Sequence, residues 1–171
     1  MPKKSRNVVL IKKIEELSSE INYNDFQFKE YFKNTCYLLP NEDDEKVELF
    51  ELEKDFFKKE WLIYVFVIEN KIFKIGQTIG SIKDRVQSYN CWKMEYRSKG
   101  TCSTTNFFIL QSFLKLNKRI DIYTYVISRK NYTLFWEEWN DCFPSTKTVE
   151  KKILKEFELK HKKKPIWCTQ S

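Results

Sequence analysis

Residues 61–90 read Trp-Leu-Ile-Tyr-Val-Phe-Val-Ile-Glu-Asn-Lys-Ile-Phe-Lys-Ile-Gly-Gln-Thr-Ile-Gly-Ser-Ile-Lys-Asp-Arg-Val-Gln-Ser-Tyr-Asn. Two apolar runs, Leu62 to Ile68 and Lys71 to Ile75, are rich in β-branched and aromatic residues and are split by the polar pair Glu69-Asn70. Short runs of that composition around turn residues predict a buried hairpin. Ser81 then stands at a helix N-cap position with Asp84 in the first turn, where the helix dipole favours a carboxylate. The helix predicted from Ser81 to Tyr89 buries Ile82, Val86 and Tyr89 on one face. A hairpin followed by such a helix, with further helices predicted on either side, leads to the expectation of an α/β (α+β) fold, a small central antiparallel β-sheet flanked by helices.

The remaining pattern supports one domain over residues 1–171, a length that buries a sizeable core. Val8 to Leu17 and Asp25 to Leu39 read as helices, and with an ambiguous stretch from Val47 to Glu60 they suggest a helical N-terminal extension over residues 1–60. Residues 61–160 would form the core, and residues 161–171 a basic tail. Pro40 and the acidic Asn41 to Glu45 mark a loop. Cys91 to Thr105 reads as an irregular connection and Asn106 to Leu116 as a buried helix. Ile120 to Ile127 alternates like a strand, and Tyr132 to Phe143 suggests an inserted hairpin. Ser145 or Thr146 caps a last helix with Val149, Ile153 and Phe157 at four-residue spacing.

Charge narrows the function. Lys and Arg number 31 against 24 Asp and Glu, a net charge of +7, with basic residues gathered at both ends. Such clusters neutralise phosphates, although a solvated basic helix face has the same composition. No apolar run is long enough to span a bilayer, and the polar start Met-Pro-Lys-Lys-Ser-Arg has no signal-like core behind it, so a soluble cytoplasmic protein with no membrane partner is expected. Five widely spaced cysteines without Cys-x-x-Cys spacing, and His161 as the single histidine, argue against structural zinc and against histidine-based nuclease chemistry.

Within the hairpin, Tyr64 and Lys74 carry the chemistry. A two-residue loop at Glu69-Asn70 would set Tyr64 opposite Ile75 and send Lys74 to the other face. A three-residue loop, Ile68-Glu69-Asn70, would set Tyr64 directly opposite Lys74, with Cβ atoms about 5 Å apart. A shared site therefore predicts the three-residue loop. A lysine among Ile, Phe and Ile needs a partner or loses its proton, so Lys74 could share the phenolic proton while Tyr64 relays one from an attacking water. Arg85 lies at the edge of the helix's buried face, placed to grip a phosphate with its planar fork. Glu150, next to Val149 on the last helix, could hold a divalent ion largely through waters. Each has an ordinary reading too: an edge tyrosine, a snorkelling lysine, a surface arginine and a solvated glutamate.

Residues 62–90 resemble the GIY-YIG nuclease module, with Tyr64 as its first-strand tyrosine. The second signature reads Lys74-Ile75-Gly76 rather than Tyr-Ile-Gly, which resembles a small branch of type II restriction endonucleases carrying lysine there. That likeness extends to Val-Gln-Ser-Tyr-Asn-Cys (86–91), Gly-Thr-Cys-Ser-Thr-Thr-Asn (100–106) and the tail Lys-Lys-Pro-Ile…Cys-Thr-Gln. The resemblance implies metal-dependent double-strand cleavage of DNA at a short palindrome of the TCNGA kind, leaving 5′-phosphate and 3′-hydroxyl ends. Tyr64, Lys74, Arg85 and Glu150 would be the catalytic residues, with Glu150 the ligand of Mg²⁺, or of Mn²⁺ in its place. A palindromic target implies a homodimer on double-stranded DNA, and a restriction enzyme implies a cognate methyltransferase as a separate protein. The other reading is a non-cleaving DNA-binding relative. DNA-contact candidates are Lys3, Lys4, Ser5 and Arg6 in the N-terminal arm, Gln87 on the helix, Arg97, Lys99 and Thr104 in the connection, and Gln170 in the tail. Gln77 stands where the resembled enzymes lead one to expect histidine. Trp61, Trp92, Trp136 and Trp167 fall where they carry glycine, and this chain has only 3 glycines against 5 tryptophans. Either a UGA codon meaning glycine was translated as tryptophan, or the positions diverged toward aromatic contacts.

Overall fold

The computed structural model describes residues 10–91, 104–134, 137–142 and 144–168. Five antiparallel strands form the central sheet in the order β2-β1-β5-β3-β4: β1 is Lys33–Asn41, β2 Lys46–Glu51, β3 Leu62–Ile68, β4 Lys71–Thr78 and β5 Ile120–Val126. A separate hairpin pairs β6 (Arg129–Leu134) with β7 (Glu137–Cys142), as expected of the insertion. Helices α1 (Ile82–Asn90) and α2 (Thr104–Leu116) pack on one face of the sheet, and α3 (Thr146–His161) on the other.

Every residue of β3 is buried, because it lies between β4 and β5 and is covered by helices on both sides. Its alternation divides the core. Leu62, Tyr64, Phe66 and Ile68 join Ile82, Val86, Tyr89 and Phe113, whereas Ile63, Val65 and Val67 join Ile153 and Phe157. Ser81 caps α1 in a full capping box with Asp84, and Ser145 caps α3 by accepting from the Thr148 amide.

The N-terminal extension differs from the expectation. Asp25 to Leu39 is not a helix: short 3₁₀ turns at Tyr23–Asp25 and Lys29–Tyr31 lead into β1. Of the helix expected from Val8 to Leu17, only the 3₁₀ turn Ile14–Leu17 is helical among the described residues. Pairing decides this. Cys36 and Leu38 alternate inward and β1 bonds to β2 and β5 on its two sides, so tertiary contacts override a segment whose local pattern is indifferent. The Pro165–Ser171 tail, which gave no pattern, holds a 3₁₀ turn at Ile166–Cys168 with Trp167 and Cys168 buried.

The hairpin turn is also corrected. Ile68 pairs with Lys71, so the loop has two residues, Glu69 and Asn70, with φ of 45° and 64° as a type I′ turn requires. Val67 then faces Ile72 but Phe66 faces Lys74, so Phe73 is an extra residue in a β-bulge. The bulge reverses the parity that the short turn would impose. Lys74 returns to the face of Tyr64, diagonal to it instead of directly opposite, and Tyr64 pairs with Gly76.

Trp61 has a left-handed φ of 59°, and its buried indole N–H, like that of Trp167, has no partner among the described residues. A left-handed backbone favours glycine over tryptophan by about 1–2 kcal/mol. Trp92 and Trp136 lie outside the described residues.

Candidate active site

β4 is one of the sheet's two outer strands, and the candidate residues gather near it. Gly76 lacks a side chain, and the Tyr64 ring occupies that space: a Cβ at residue 76 would lie 2.4 Å from Cζ and from the hydroxyl oxygen of Tyr64. Glycine in the Lys-Ile-Gly triplet is therefore a requirement of close approach. The ring also packs on Phe66, with centroids 4.9 Å apart.

From α1, Arg85 Nε donates to the Tyr64 hydroxyl at 2.9 Å. The Tyr64 and Tyr89 hydroxyls are 3.3 Å apart, and the Arg85 guanidinium lies 4.9 Å from the Tyr89 ring centre. Arg85 and Tyr89 are one helical turn apart and so share a face. Burial works against the charge of Arg85, but the two phenols outweigh it and its pKa lies above the ordinary guanidinium value. Tyr89 is fully buried. Burial, with the Tyr64 phenol adding to it and Arg85 opposing, holds its pKa well above the usual phenol range, so it stays protonated.

Lys74 and Glu150 line one cleft of about 560 Å³ with Lys147, Lys151, Lys155, Lys164 and Cys168. The Lys74 ammonium donates to the Trp167 carbonyl at 3.2 Å, and no direct hydrogen bond joins it to Tyr64. Proton sharing between the two residues therefore needs a bridging molecule. Glu150 is half-buried. Desolvation raises its pKa, while the charges of Lys74, Arg85, Lys147 and Lys151 pull the other way. Arg85 thus joins the four, which come from four different elements: it bonds Tyr64 and lies within electrostatic reach of Glu150, which in turn is within reach of Lys74. Gln77 accepts from the Thr146 hydroxyl at 2.7 Å, tying β4 to the start of α3.

Among the described residues no group of three or more His, Cys, Asp or Glu could enclose a metal ion. Glu150 fits a different kind of site. A single carboxylate without a hydrogen-bond donor among the described residues offers hard oxygens to a cation that keeps most of its waters, as Mg²⁺ does. Of the DNA-contact candidates, Gln87 is exposed on α1 and Thr104 opens α2. Lys3, Lys4, Ser5, Arg6, Arg97, Lys99 and Gln170 lie outside the described residues. Three residues that the sequence did not offer as site candidates also reach the site: Tyr89, whose spacing from Arg85 was the available signal, and Trp167 and Cys168, which stood out only by resemblance.

No family model matches the chain, and no curated protein matches it. Among solved structures, "Restriction endonuclease HPY188I in complex with product DNA" is 47% identical, aligned over 100% of this chain and 99% of its own, with a TM-score of 0.76. The chain belongs to the HPY188I restriction endonuclease family. A second structure, a point mutant of bacteriophage T4 EndoII, covers 81% of this chain and 96% of its own at a TM-score of 0.58. At 16% identity it shares the fold alone. Membership in the HPY188I family agrees with the antiparallel sheet and its flanking helices and with an alignment that covers nearly all of both chains. No helix among the described residues is long and apolar enough to cross a membrane.

Proposed function

We propose that this protein is a type II restriction endonuclease of the GIY-YIG type, cutting double-stranded DNA at a short palindrome of the TCNGA kind. One observation carries the reading. A chain 47% identical over its whole length to a restriction endonuclease has Arg85 bonded to Tyr64 and within electrostatic reach of Glu150, which is itself within reach of Lys74. The row Lys147, Lys151 and Lys155 in the same cleft suits a phosphodiester backbone, and the neighbour's product DNA is such a ligand.

In the mechanism, Tyr64 and Lys74 stand diagonal on one face, a spacing of about 7–8 Å between Cα atoms that leaves room for a water. Lys74 orients that water toward phosphorus. Tyr64 takes a proton from it and passes its own to a phosphate oxygen held by Arg85, so the hydroxyl relays without a net change of charge. Arg85, a permanent cation already fixed by Tyr64, turns its remaining donors to the phosphate and stabilises its charge as the P–O3′ bond breaks. Glu150 would hold Mg²⁺, or Mn²⁺ in its place, which supplies charge stabilisation at the leaving 3′-oxygen. The proton passed to the phosphate oxygen moves on to the departing 3′-oxygen, so the products carry 5′-phosphate and 3′-hydroxyl ends. A palindromic target implies a homodimer, each protomer cutting one strand, and a companion methyltransferase to protect host DNA.

The test is incubation of the purified protein with unmethylated phage DNA, with Mg²⁺ and with EDTA, followed by sequencing of fragment ends. Tyr64→Phe and Glu150→Ala run beside the wild type. Discrete Mg²⁺-dependent fragments sharing one end sequence, absent with both variants, support the reading. DNA binding without cleavage by the wild type sinks it in favour of a non-cleaving relative.

A further inference from the structure

Among the described residues no sixth strand pairs along the outer edge of β4, yet the backbone groups of Ile72 and Ile75 find partners there. The Ile72 amide donates to the Ile21 carbonyl at 2.8 Å. At Ile75 a single side chain does what a neighbouring strand would do. The Cys168 sulfur accepts from the Ile75 amide at 3.2 Å, and its thiol donates to the Ile75 carbonyl at 3.0 Å. Cys168 is buried, and burial pushes its thiol pKa up, so it keeps the proton this second bond needs. One residue earlier in the tail, the Trp167 carbonyl receives the Lys74 ammonium, and one residue earlier on β4 stands Lys74 itself. The two contacts form a rung between tail and strand, with a catalytic candidate at one end.

The tail has a second anchor. Glu20, 8% exposed, takes the Lys163 ammonium at 2.8 Å on one oxygen and the Ile166 amide at 3.2 Å on the other. The Trp167 carbonyl is thus held between a carboxylate clamp at residues 163–166 and a thiol clamp at residue 168. Cys168 belongs to the same apolar cluster as Ile63, Val65, Ile75 and Phe157, where an aliphatic side chain is an ordinary occupant.

We propose that Cys168 is a positioning residue: by pinning the C-terminal tail to Ile75 it sets the Trp167 carbonyl against Lys74 and fixes where the ammonium meets substrate. The proposal rests on the nuclease reading of Lys74. Its test compares wild type, Cys168→Val and Cys168→Ser in steady-state cleavage of a duplex carrying the site found with phage DNA. Hydrogen exchange at the Ile75 amide and thermal denaturation are followed in parallel, and Glu20→Gln loosens the tail from its other anchor. In Cys168→Val we expect faster exchange at Ile75 and kcat reduced about tenfold, the equivalent of one hydrogen bond, with KM within about twofold of wild type. Cys168→Ser should recover most of the kcat, and Glu20→Gln should lower kcat in the same way. Unchanged kcat in Cys168→Val despite faster exchange at Ile75 would overturn the proposal, as would a serine variant no better than valine. If Cys168→Val does not fold, Cys168→Ser and Glu20→Gln both at wild-type kcat overturn it equally. A wild type that never turns over would instead remove the function itself, an outcome visible before any variant is made.

Discussion

Replacing Gly76 by alanine tests the contact on which the site is built. The added Cβ would fall 2.4 Å from two atoms of Tyr64 and 2.8 Å from a third, against about 3.5 Å for ordinary carbon contact. The ring cannot yield freely, since Tyr64 is fully buried, packs on Phe66 and takes a hydrogen bond from Arg85. Relief requires a shift of about 1 Å by the phenol or by β4. Overpacking of this kind costs about 1–3 kcal/mol, or about 3–10 °C in melting temperature for a chain of this size. Displacing a reacting group by about 1 Å costs about 10²-fold in rate. Thermal denaturation and single-turnover cleavage of a synthetic duplex would measure both. A double-mutant cycle separates the cause: in a Tyr64→Leu background, which has no phenol ring to meet, alanine at 76 should cost under about 0.5 kcal/mol. A Gly76→Ala protein with wild-type melting temperature and rate would refute the close approach of Tyr64 and the mechanism built on it.

Tyr64→Phe keeps the ring but removes the relay, so single-turnover cleavage should fall about 10²–10⁴-fold; losing the bond from Arg85 should also cost about 1–3 kcal/mol, read from the melting temperature. In metal-free protein the Glu150 carboxyl should titrate above the ordinary glutamate value by NMR, and Mg²⁺ should move it down. Because the folded pKa is the raised one, charged Glu150 disfavours the fold above that pKa. Glu150→Gln should therefore melt higher than wild type at neutral pH, and the difference should close as pH falls through the Glu150 pKa. Lys151→Gln and Lys155→Gln should each lower the slope of log K against log salt by about 1, measured by fluorescence anisotropy with duplex DNA. Trp61→Gly should cost well under the ~3–5 kcal/mol usual for truncating a buried tryptophan, because it relieves a left-handed φ and an unpartnered N–H. Peptide mass spectrometry of the protein from its source, or UGG codons in the gene, decides between glycine and tryptophan there.

The hairpin, α1, α2, β5 and α3 were legible in sequence because periodicity, caps and turn residues agree locally with the final fold. β1 was not. Asp25 to Leu39 has no decisive local period, and its conformation is set by β2 and β5, the latter far along the chain, where Asn34 meets Tyr123. For the site, Tyr64 and Lys74 were placed on a common face by the wrong turn. A bulge leaves no composition signal at Phe73, so the true register was invisible. Arg85 and Glu150 lie where helix phase put them, at the margins of apolar faces. The Trp167 carbonyl was beyond reach of any motif, because a main-chain oxygen carries no residue identity and is placed only by tertiary docking.

The bulge at Phe73 makes the site depend on counting. Between Tyr64 and Lys74 the chain must spend an odd residue somewhere, either in a longer turn or in a bulge, for both side chains to emerge on one side. Deleting any one residue of Ile68 to Phe73 would move Lys74 off the strand face it shares with Tyr64 and leave Tyr64 where it is. Relatives of this chain can therefore exchange a bulge for a longer loop without losing the site, but cannot shorten the hairpin by one. Length differences here should come in twos, or in compensated pairs, and an alignment gap of one in this hairpin would mark a protein that no longer assembles the pair.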